Sequence, residues 1–436
     1  QAFSHSIEQC GMHAIITSRK FIERFPQYEI SADKLVFIED VLKNLTVKTK
    51  LLCAVAAAFF PLKWMVPATV KTDADDVAMI LFSSGSTGEP KGVMLSHHNV
   101  ISMIESLRMM LATKPDDHIC GTLPLFHSFG IMGCIWYPLL KHVRVTMHPN
   151  PLDAQAVVDI VRNHKSTMIF GTPTFLSIYA RKATREDFQS LRFILAGAEK
   201  LKESLIKTYE EKYGIRPYEA YGATELSPGI AVSVPHGTGG GIVQEGWKTG
   251  RVGLPCPGIA MKVLDPDTGE EMAPGEPGLL YLKGPNVMLG YLQREDLTSE
   301  VLKDGWYCTG DIAFIDDDGF VGLTDRLSRF SKIGGEMVPH VGVEEALLNA
   351  CGLTGQVLAV TGVPDERKGE KLVVLYTPEC GDPQWMYEAL DSSEIPNLWK
   401  PAKSEYYPVD AIPLLGSGKV DLSAIKKLAI SIVSKK

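Results

Sequence analysis

The sequence lacks the features that mark secreted, metal-binding and nucleic-acid-binding proteins. Its eight cysteines include no C-x-x-C pair and no metal-ligand spacing with histidine, which indicates free thiols in a reducing compartment. The amino terminus has no basic start followed by an apolar run, so no signal peptide is visible. A formal net charge of −8 argues against binding of nucleic acid through a broad basic surface. These absences predict a cytoplasmic protein and leave small acidic substrates, bound at local sites, as candidates.

Long hydrophobic runs are also absent. The longest, LLCAVAAAFFPL at residues 51–62, is too short to span a bilayer and is interrupted by Pro61. It has two interpretations: a buried helix, or a segment at a membrane interface, because aromatic residues and lysines flank it. The second interpretation predicts peripheral contact of residues 51–66 with the cytoplasmic face of the inner membrane.

Familiar catalytic motifs are missing as well. No G-x-S-x-G elbow or cysteine–histidine signature indicates a protein nucleophile. The stretch ILFSSGSTGEPKGVMLSHHN at residues 80–99 is not a Walker P-loop, because Gly85, Gly88 and Lys91 have the wrong spacing. Its small and hydroxylated residues still suit a loop whose backbone N–H groups close on a phosphate. A flexible surface turn is the alternative from composition alone.

What the sequence does contain is the alternation typical of a parallel α/β fold. From about residue 70 to 260, apolar runs that favour strands alternate with amphipathic runs that favour helices. Three unusual loops follow such strands, at the position where α/β sheets bind ligands; they are 83–92, 196–199 and 221–228.

The later part of the chain has a different character. Short strands with Gly, Pro and Asp turns between about 250 and 327 predict a β-rich subdomain. Residues 329–436 predict a small, mobile α+β domain that carries a lysine, Lys419, after two glycines. The predicted fold class is therefore α/β, with a large, mostly parallel-sheet domain at 1–327 followed by this smaller domain. The chain does not begin with methionine, and a fragment with an incomplete amino-terminal part is expected.

Several loops carry residues suited to a nucleotide and its metal. In YGATELSP, Thr224 is a candidate phosphate donor and Glu225 a hard oxygen ligand for Mg²⁺. A Thr-Glu pair alone more often marks the start of a helix. Asp311 lies in a predicted Gly-Asp turn, where a carboxylate can accept hydrogen bonds from ribose hydroxyls. Arg326 precedes a second glycine loop, Gly334–Gly335.

Taken together and in order, these motifs resemble one superfamily. The set SSGSTGEPKG, LPLFHSFG, YGATE, TGD, DRL and GSGK is similar to that of the adenylate-forming acyl-CoA synthetases, luciferases and peptide-synthetase adenylation domains, over nearly the whole chain. More narrowly, LPLFHSFG, AGAEKL, KGPNVMLGY, RFSKIGGEMV and IPLLGSGKVD resemble the acyl-ACP synthetase portion of the bifunctional bacterial 2-acylglycerophosphoethanolamine acyltransferase/acyl-ACP synthetases. In that family a separate acyltransferase domain precedes the synthetase.

The resemblance implies a role for each matching residue. The side chains that grip the triphosphate would be Ser83, Ser84, Ser86, Thr87 and Lys91. The adenine and ribose sites would be formed by Gly197, Ala198, Glu199, Tyr221, Gly222, Asp311 and Arg326. Thr224 would hold the α-phosphate, Glu225 the metal, and His127 the gate between the acyl and thiol tunnels. A lone histidine beside an aromatic residue is otherwise more often explained by packing. Lys419 would stabilise charge during adenylation, delivered by rotation of the carboxy-terminal domain about Ser328.

The implied function is a ligase that uses ATP and Mg²⁺. A long-chain fatty acid would become an acyl-adenylate and then a thioester on the phosphopantetheine of acyl carrier protein, feeding the reacylation of lysophospholipids. A long-chain CoA ligase is the nearest alternative, because only the thiol acceptor differs. A ligand-binding fragment without catalytic activity is an alternative of another class, and release of pyrophosphate distinguishes it.

Overall fold

The computed structural model describes residues 2–24, 32–59, 72–84, 90–239, 242–334, 336–353, 355–365, 368–414 and 420–434. The α-helices of this part are Ala2–Gln9, Arg19–Arg24, Ile38–Asn44, Val47–Phe59, His97–Leu111, Ser128–Ile131, Tyr137–Lys141, Ala154–His164, Pro173–Lys182, Glu203–Tyr213, Glu295–Val301, His340–Ala350, Pro383–Asp391 and Leu422–Val433. Single turns of 3-10 helix are Ala32–Lys34, Thr224–Leu226, Leu327–Arg329, Pro378–Cys380, Asn397–Trp399 and Lys403–Glu405.

A seven-stranded sheet forms the centre of the molecule. Its strands, in spatial order, are Leu254–Pro255, Gly229–Val232, Pro217–Gly222, Phe193–Gly197, Met168–Gly171, His118–Gly121 and Arg144–Met147. The last five run parallel, and the first two are antiparallel additions at one edge. Strand and helix alternate through this region because each apolar strand is followed by an amphipathic helix. The predicted α/β class is thus confirmed.

The covering helices begin and end where the sequence provides caps. Asp153 caps Ala154–His164 by accepting a hydrogen bond from a backbone N–H, and Thr172 does the same for Pro173–Lys182. Gly214 ends Glu203–Tyr213 in the left-handed conformation, with φ of 72°. These helices bury apolar side chains against one face of the sheet and so leave the carboxyl ends of its strands open for the loops.

The strand that carries the start of the phosphate-loop motif lies outside the central sheet. Val77–Ser84 pairs antiparallel with Pro90–Ser96, and Gly290–Tyr291 completes a three-stranded sheet. The prediction that loop 83–92 follows a strand of the parallel sheet is therefore wrong. Only five positions separate the two strands in the sequence. A parallel crossover needs about a dozen residues or more, so antiparallel pairing of these strands is expected.

The later strands form two further sheets. One is antiparallel and contains Ala260–Leu264, Gly278–Lys283, Leu302–Lys303, Trp306–Ile315 and Val321–Arg326. The other contains Phe330–Ile333, Glu336–Pro339, Leu358–Asp365, Gly369–Tyr376 and Tyr406–Pro408. Two hydrophobic clusters draw all their buried members from Ile333 onward. The exact domain boundary stays a prediction. The remaining strands form two pairs, Ile15–Thr17 with Leu35–Phe37 and Gly237–Gly239 with Ile242–Gln244.

Asp311 does not lie in a tight turn as predicted. It lies within the strand Trp306–Ile315, and the preceding Gly310 has φ of 73°. Because Gly310 accepts this left-handed conformation, the strand bends without ending. Asp311 is consequently held by strand pairing, opposite Arg326.

The apolar run of residues 51–59 belongs to the helix Val47–Phe59, which is exposed. Val47 is 82% exposed, Phe59 78% and Leu51 65%. The buried-helix interpretation is therefore wrong for these positions. Its apolar residues surround the helix instead of forming one stripe, so no single face is matched to the core. Among the described residues, none of the helices is both long and apolar enough to cross a bilayer.

A π-helix, Met132–Trp136, joins Ser128–Ile131 to Tyr137–Lys141. The N–H of Tyr137 donates to the carbonyl oxygen of Met132, five residues earlier. Tyr137 is completely buried, and its hydroxyl forms a hydrogen bond with Thr113 Oγ1. A Cβ at Gly133 would lie 2.8 Å from the ring of Phe170, so glycine permits the close approach here.

Candidate active site

A cavity opens at the carboxyl ends of the central strands and encloses about 650 Å³ between its lining atoms and its open mouth. Most of the lining is apolar, with side chains that include Leu107, Leu111, Met132, Phe170, Leu195 and Val232. The polar part of the lining consists of His127, Ser128 and Tyr221. The cavity thus suits a ligand that has both an apolar part and a polar group.

Thr224 lies beside the polar part of this cavity. It begins a 3-10 helix directly after the strand Pro217–Gly222. Its hydroxyl donates a hydrogen bond to Ser128 Oγ at 3.1 Å. The N–H of Ala223 donates to the carbonyl oxygen of Pro228 at 3.0 Å and closes the turn. The predicted α-phosphate donor is therefore held next to a residue that lines the cavity.

Glu225 and Lys91 are brought together by Tyr291. The hydroxyl of Tyr291 donates to Glu225 Oε1 at 3.0 Å, and Lys91 Nζ lies 5.0 Å from the centroid of the same ring. The backbone oxygen of Glu225 accepts a hydrogen bond from the N–H of Met288 at 2.8 Å. Lys91 pairs with Ser83 in the hairpin. The predicted metal ligand and part of the predicted triphosphate site are thus neighbours.

Asp311 and Tyr221 form a second connection across the site. Asp311 is 8% exposed and accepts a hydrogen bond from the hydroxyl of Tyr221. Its backbone N–H donates to Thr309 Oγ1 at 3.0 Å. The predicted ribose ligand is therefore held against a residue that lines the cavity.

Of the predicted adenine wall, Gly197 and Ala198 line the cavity together with Tyr221 and Gly222. Ala198 has φ of 69°, a left-handed conformation that costs energy for a residue with a Cβ. Glu199 points elsewhere, because its carboxylate accepts hydrogen bonds from the N–H and hydroxyl of Thr174 at 3.2 and 2.6 Å. The structure therefore brings two of the three wall residues to the cavity and ties the third to a neighbouring helix.

His127 is exposed and lines the cavity, in keeping with a position at its mouth. Its Nδ1 accepts a hydrogen bond from the N–H of Phe129 at 3.2 Å and so caps the short helix Ser128–Ile131. The cap accounts for the orientation of the ring without a ligand, and the role of gate stays a prediction.

Several predicted residues fall outside the described part of the chain. They are Ser86, Thr87, Gly335 and Lys419, together with the side chains of Ser84, Arg326 and Ser328. Their roles stay predictions.

Comparison with known proteins gives the family. A family model described as AMP-binding enzyme matches residues 1–292. The chain belongs to the AMP-binding enzymes. It is 34% identical over 365 residues to a feruloyl-CoA synthase of Amycolatopsis, covering 81% of this chain and 70% of the relative. It is 33% identical over 305 residues to a long-chain-fatty-acid–CoA ligase of Salmonella typhimurium, covering 68% of this chain and 52% of the relative.

Solved structures of AMP-binding enzymes agree with the fold. The ATP-bound MatB of Rhodopseudomonas palustris superposes with a TM-score of 0.72 at 27% identity, covering 84% of this chain and 71% of that one. The o-succinylbenzoate CoA synthetase MenE of Bacillus subtilis, in complex with ATP and magnesium, gives a TM-score of 0.75 at 22% identity, covering 96% of this chain and 80% of that one.

ATP and Mg²⁺ are the usual substrate and cofactor of AMP-binding enzymes, and the residues present here fit both. No group of three or more His, Cys, Asp or Glu side chains that could hold a metal occurs in the described ranges. Mg²⁺ commonly binds through one or two carboxylates together with substrate phosphates and water, so a single carboxylate is sufficient. Glu225 is the residue that would hold the ion, which would offset negative charge on the triphosphate.

Three residues of this AMP-binding enzyme were missed by the sequence reasoning. Ser128 and Tyr291 lie inside the motifs LPLFHSFG and KGPNVMLGY. Their hydrogen-bond partners, Thr224 and Glu225, are distant in the chain. Glu219 accepts a hydrogen bond from the N–H of Leu201 at 3.1 Å, and burial raises its pKa to about 7. It follows that Glu219 connects the strand before Thr224 to the segment after Ala198. The sequence did contain a sign of this role, because Glu219 lies two residues before Tyr221 and therefore on the same face of the strand.

Proposed function

We propose that this protein joins a long-chain fatty acid to AMP and then to a thiol, with acyl carrier protein as the acceptor. The observation that carries the proposal is the apolar cavity that opens beside the Thr224–Ser128 pair. An alkyl chain in the apolar part would bring its carboxylate to the polar part. The similarity to the long-chain-fatty-acid–CoA ligase of Salmonella typhimurium supports the choice of acid.

The chemistry follows from charge. The carboxylate oxygen attacks the α-phosphorus of ATP, a new O–P bond forms, and the bond to pyrophosphate breaks. Two anions approach each other in this step, so cationic and hydrogen-bonding side chains must offset the developing charge. Lys91, Thr224 and the predicted Lys419 are candidates. A thiolate then attacks the acyl carbonyl and AMP leaves. Neither step needs a nucleophile from the protein.

Pyrophosphate release tests the first step. The purified protein would be given ATP, Mg²⁺ and, in separate reactions, a C16 fatty acid, a hydroxycinnamic acid and a small dicarboxylic acid. We expect the fatty acid to give the highest kcat/KM, because of the three acids it has the most apolar surface to bury against the mostly apolar lining. Higher turnover with the aromatic or the small acid would contradict the proposed substrate class.

A matched pair of leucine variants ties the result to the cavity. Leu107 lines the cavity, whereas Leu139 is 63% exposed on a nearby helix. Leu107→Gln should raise the KM for the fatty acid roughly tenfold by placing an amide in apolar surroundings. Leu139→Gln should leave that KM unchanged. Equal effects of the two changes would contradict this placement of the acyl chain.

The choice of acyl carrier protein as the acceptor rests on the resemblance to acyl-ACP synthetases more than on the charge of this chain. Five basic residues of the carboxy-terminal part are the candidates to meet an acidic carrier, namely Arg329, Lys332, Arg367, Lys368 and Lys371. Three of them have carboxylate partners. Arg329 pairs with Glu344, Lys332 with Asp267, and Lys371 with Glu405. These partners compete with docking. Arg367 lies outside the described residues, which leaves Lys368 as the candidate to test.

Thioester yield on acyl carrier protein and on CoA, at low and high salt, decides between the two acceptors. Lys368→Glu should slow transfer to the carrier and leave transfer to CoA unchanged, because a rim charge mainly affects encounter rates. Lys403→Glu, on the same part of the chain, is the control. A clear preference of the wild-type protein for CoA would overturn the choice of acceptor.

A second proposed property, peripheral membrane contact, is favoured by the exposed helix Val47–Phe59. Lys48 and Lys50 lie just before the apolar run that begins at Leu51, as in helices that lie at an anionic lipid surface. Such contact would suit the reacylation of lysophospholipids, with the acyltransferase domain as the partner implied by the resemblance. The replacement Leu52→Ser/Phe59→Ser should weaken binding to anionic vesicles, whereas Leu152→Ser, at another exposed leucine, should not. Unchanged vesicle binding would rule out this helix as the contact.

A further inference from the structure

The hydrogen bond between Thr224 and Ser128 joins two residues that are 96 positions apart in the chain. Ser128 is 3% exposed and lines the cavity, whereas Thr224 is half-buried. Their hydroxyls are the point at which the turn after the strand Pro217–Gly222 meets the short helix Ser128–Ile131. This contact couples the predicted phosphate donor to the wall of the cavity.

The backbones on both sides of this contact are fixed by their own hydrogen bonds and packing. Around Thr224, the N–H of Ala223 donates to Pro228, and a Cβ at Gly222 would lie only 2.0 Å from the carbonyl oxygen of Pro228. Around Ser128, a Cβ at Gly130 would lie 2.0 Å from the carbonyl oxygen of Pro124. The backbone therefore approaches a proline carbonyl closely on both sides, and the direction of the Thr224 hydroxyl is set by side-chain rotation and its hydrogen-bond partner.

A hydroxyl carries one donor hydrogen and can accept two hydrogen bonds. In the structure Thr224 gives its hydrogen to Ser128. A phosphate oxygen is a stronger acceptor, because a hydrogen bond to an ionised group has roughly twice the strength of a neutral one. When a nucleotide binds, the Thr224 hydroxyl would therefore turn its hydrogen to the phosphate. The lone pairs of Thr224 Oγ1 then become available to a donor, and Ser128 Oγ is already within reach.

We propose that Ser128 is a positioning residue, which holds the Thr224 hydroxyl before the nucleotide binds and donates its own O–H to Thr224 Oγ1 afterwards. The resulting chain runs from Ser128 through Thr224 to the phosphate. Each hydrogen bond in such a chain polarises the next, so Ser128 strengthens the contact of Thr224 with the developing charge. This inference rests on the proposed role of Thr224 at the α-phosphate.

A double-mutant cycle on pyrophosphate release tests this coupling. Ser128→Ala should lower the kcat of adenylation about five- to tenfold, the effect of one hydrogen bond between neutral groups. Thr224→Ala should lower it about 10²-fold. The double variant should match Thr224→Ala within about twofold, because Ser128 acts only through Thr224. Ser128→Thr, which keeps the hydroxyl, should recover most of the rate.

Controls separate positioning from folding and from substrate contact. Ser190→Ala removes a different serine hydroxyl, one that donates to the carbonyl oxygen of Ser166 at 2.9 Å, and should leave kcat unchanged. The midpoint of thermal unfolding of Ser128→Ala should stay near that of the wild type. A rise in the KM for the acid, with kcat unchanged, would show that Ser128 contacts the acid directly and would overturn the proposal. Multiplying losses in the double variant would overturn it as well.

Failure of the proposed function would give a different result. In that case the wild-type protein would release no pyrophosphate with any acid. The wild type, Ser128→Ala, Thr224→Ala and the double variant would then be compared by calorimetric titration with ATP and Mg²⁺. Non-additive losses of ATP affinity would support the Ser128–Thr224 coupling, and additive losses would contradict it.

Discussion

Two regions of the chain bury a serine hydroxyl against a polar partner, and they differ in access. Ser128 meets Thr224 at the wall of a cavity of about 650 Å³. Ser331 meets His340 Nε2 at 2.8 Å inside the carboxy-terminal part, where Ser331 is 0% and His340 3% exposed. A Cβ at Gly362 would lie 1.8 Å from Ser331 Oγ, so the second pair is tightly enclosed. The hydroxyl beside the cavity can change its partner, and the enclosed one cannot.

The difference shows that the same local chemistry serves two purposes. Near Ser331, the ion pair of Arg329 with Glu344 is also enclosed, and Glu344 further accepts a hydrogen bond from the N–H of Val360 at 2.8 Å. These bonds connect helix to sheet and fix one structure. Near Ser128, the hydrogen bonds leave donors and acceptors directed at a space that a ligand can fill. Variants on the cavity side should therefore change rates, and variants on the enclosed side should change stability.

The largest effect is expected from Lys419→Ala. If the carboxy-terminal part delivers this lysine for adenylation only, its loss should slow pyrophosphate release about 10²- to 10³-fold, the usual cost of one charge-stabilising contact. Conversion of supplied acyl-adenylate to thioester should continue at nearly the wild-type rate. Equal impairment of both half-reactions would contradict rotation about Ser328 between two poses.

A loss of about 10²-fold in adenylation is expected from Glu225→Gln. The change removes the charge that would hold Mg²⁺ but keeps an oxygen for the hydroxyl of Tyr291, so the fold should persist. Pyrophosphate release at increasing Mg²⁺ checks this, with circular dichroism as the control for folding. Unchanged turnover would remove Glu225 from the metal site.

The buried His340, beside Ser331, is expected to make the free energy of unfolding depend on pH. Burial, together with Arg329 and Lys426, lowers the pKa of His340 to about 3. The unfolded chain binds this proton near pH 6.5, so the contribution of His340 to stability is complete above that pH and is lost as pH falls towards 3. Between pH 7 and 4.5 the loss is roughly 2–3 kcal/mol. Its removal in His340→Gln should make urea unfolding less sensitive to acid.

To measure this, urea unfolding of the carboxy-terminal part would be followed by its susceptibility to proteolysis, at pH 7 and at pH 4.5. An equal acid sensitivity of wild type and His340→Gln would show that His340 is not the group responsible.

The smallest effect is expected from Ser331→Ala, which removes the partner of His340. Loss of this hydrogen bond should cost about 1 kcal/mol of unfolding free energy. The kcat of pyrophosphate release should not change, the opposite of the result expected for Ser128→Ala. A slower adenylation in Ser331→Ala, with stability unchanged, would break the distinction between the two regions.

Local pattern was sufficient to predict the parallel part of the central sheet, because helices follow its strands, except for Pro217–Gly222, which is followed by a single 3-10 turn. It was insufficient for Val77–Ser84, whose apolar run predicts a strand but not its partner. Asp311 was placed in a turn because Gly310 usually indicates one, whereas strand pairing with Val321–Arg326 keeps the segment extended. Pattern thus identifies elements better than it identifies their neighbours.

The residues of the candidate site also fall into those that a local motif indicates and those that depend on a distant contact. Thr224, Glu225, Lys91 and Asp311 were predicted as site residues from their motifs, and the structure brings Lys91 and Glu225 to the same tyrosine. Ser128 was not predicted as a site residue, because the role proposed for it depends on a contact with a residue 96 positions away. A serine inside an apolar motif carries no local sign of such a partner.

The π-helix Met132–Trp136 carries residues that line the cavity. The shape of this part of the lining therefore depends on the number of residues in the segment as well as on their types. An α-helix turns by about 100° per residue, and one π turn accommodates one residue more than the α turn it replaces. Deleting a single residue from this segment would restore α-helical phase and rotate everything after it. Tyr137 would then lose its hydrogen bond with Thr113, and the part of the lining formed by Met132, Gly133 and Tyr137 would change without any substitution. If the acyl chain occupies this cavity as proposed, insertions and deletions here would change the acid that fits, an effect that a comparison of aligned residues alone would overlook.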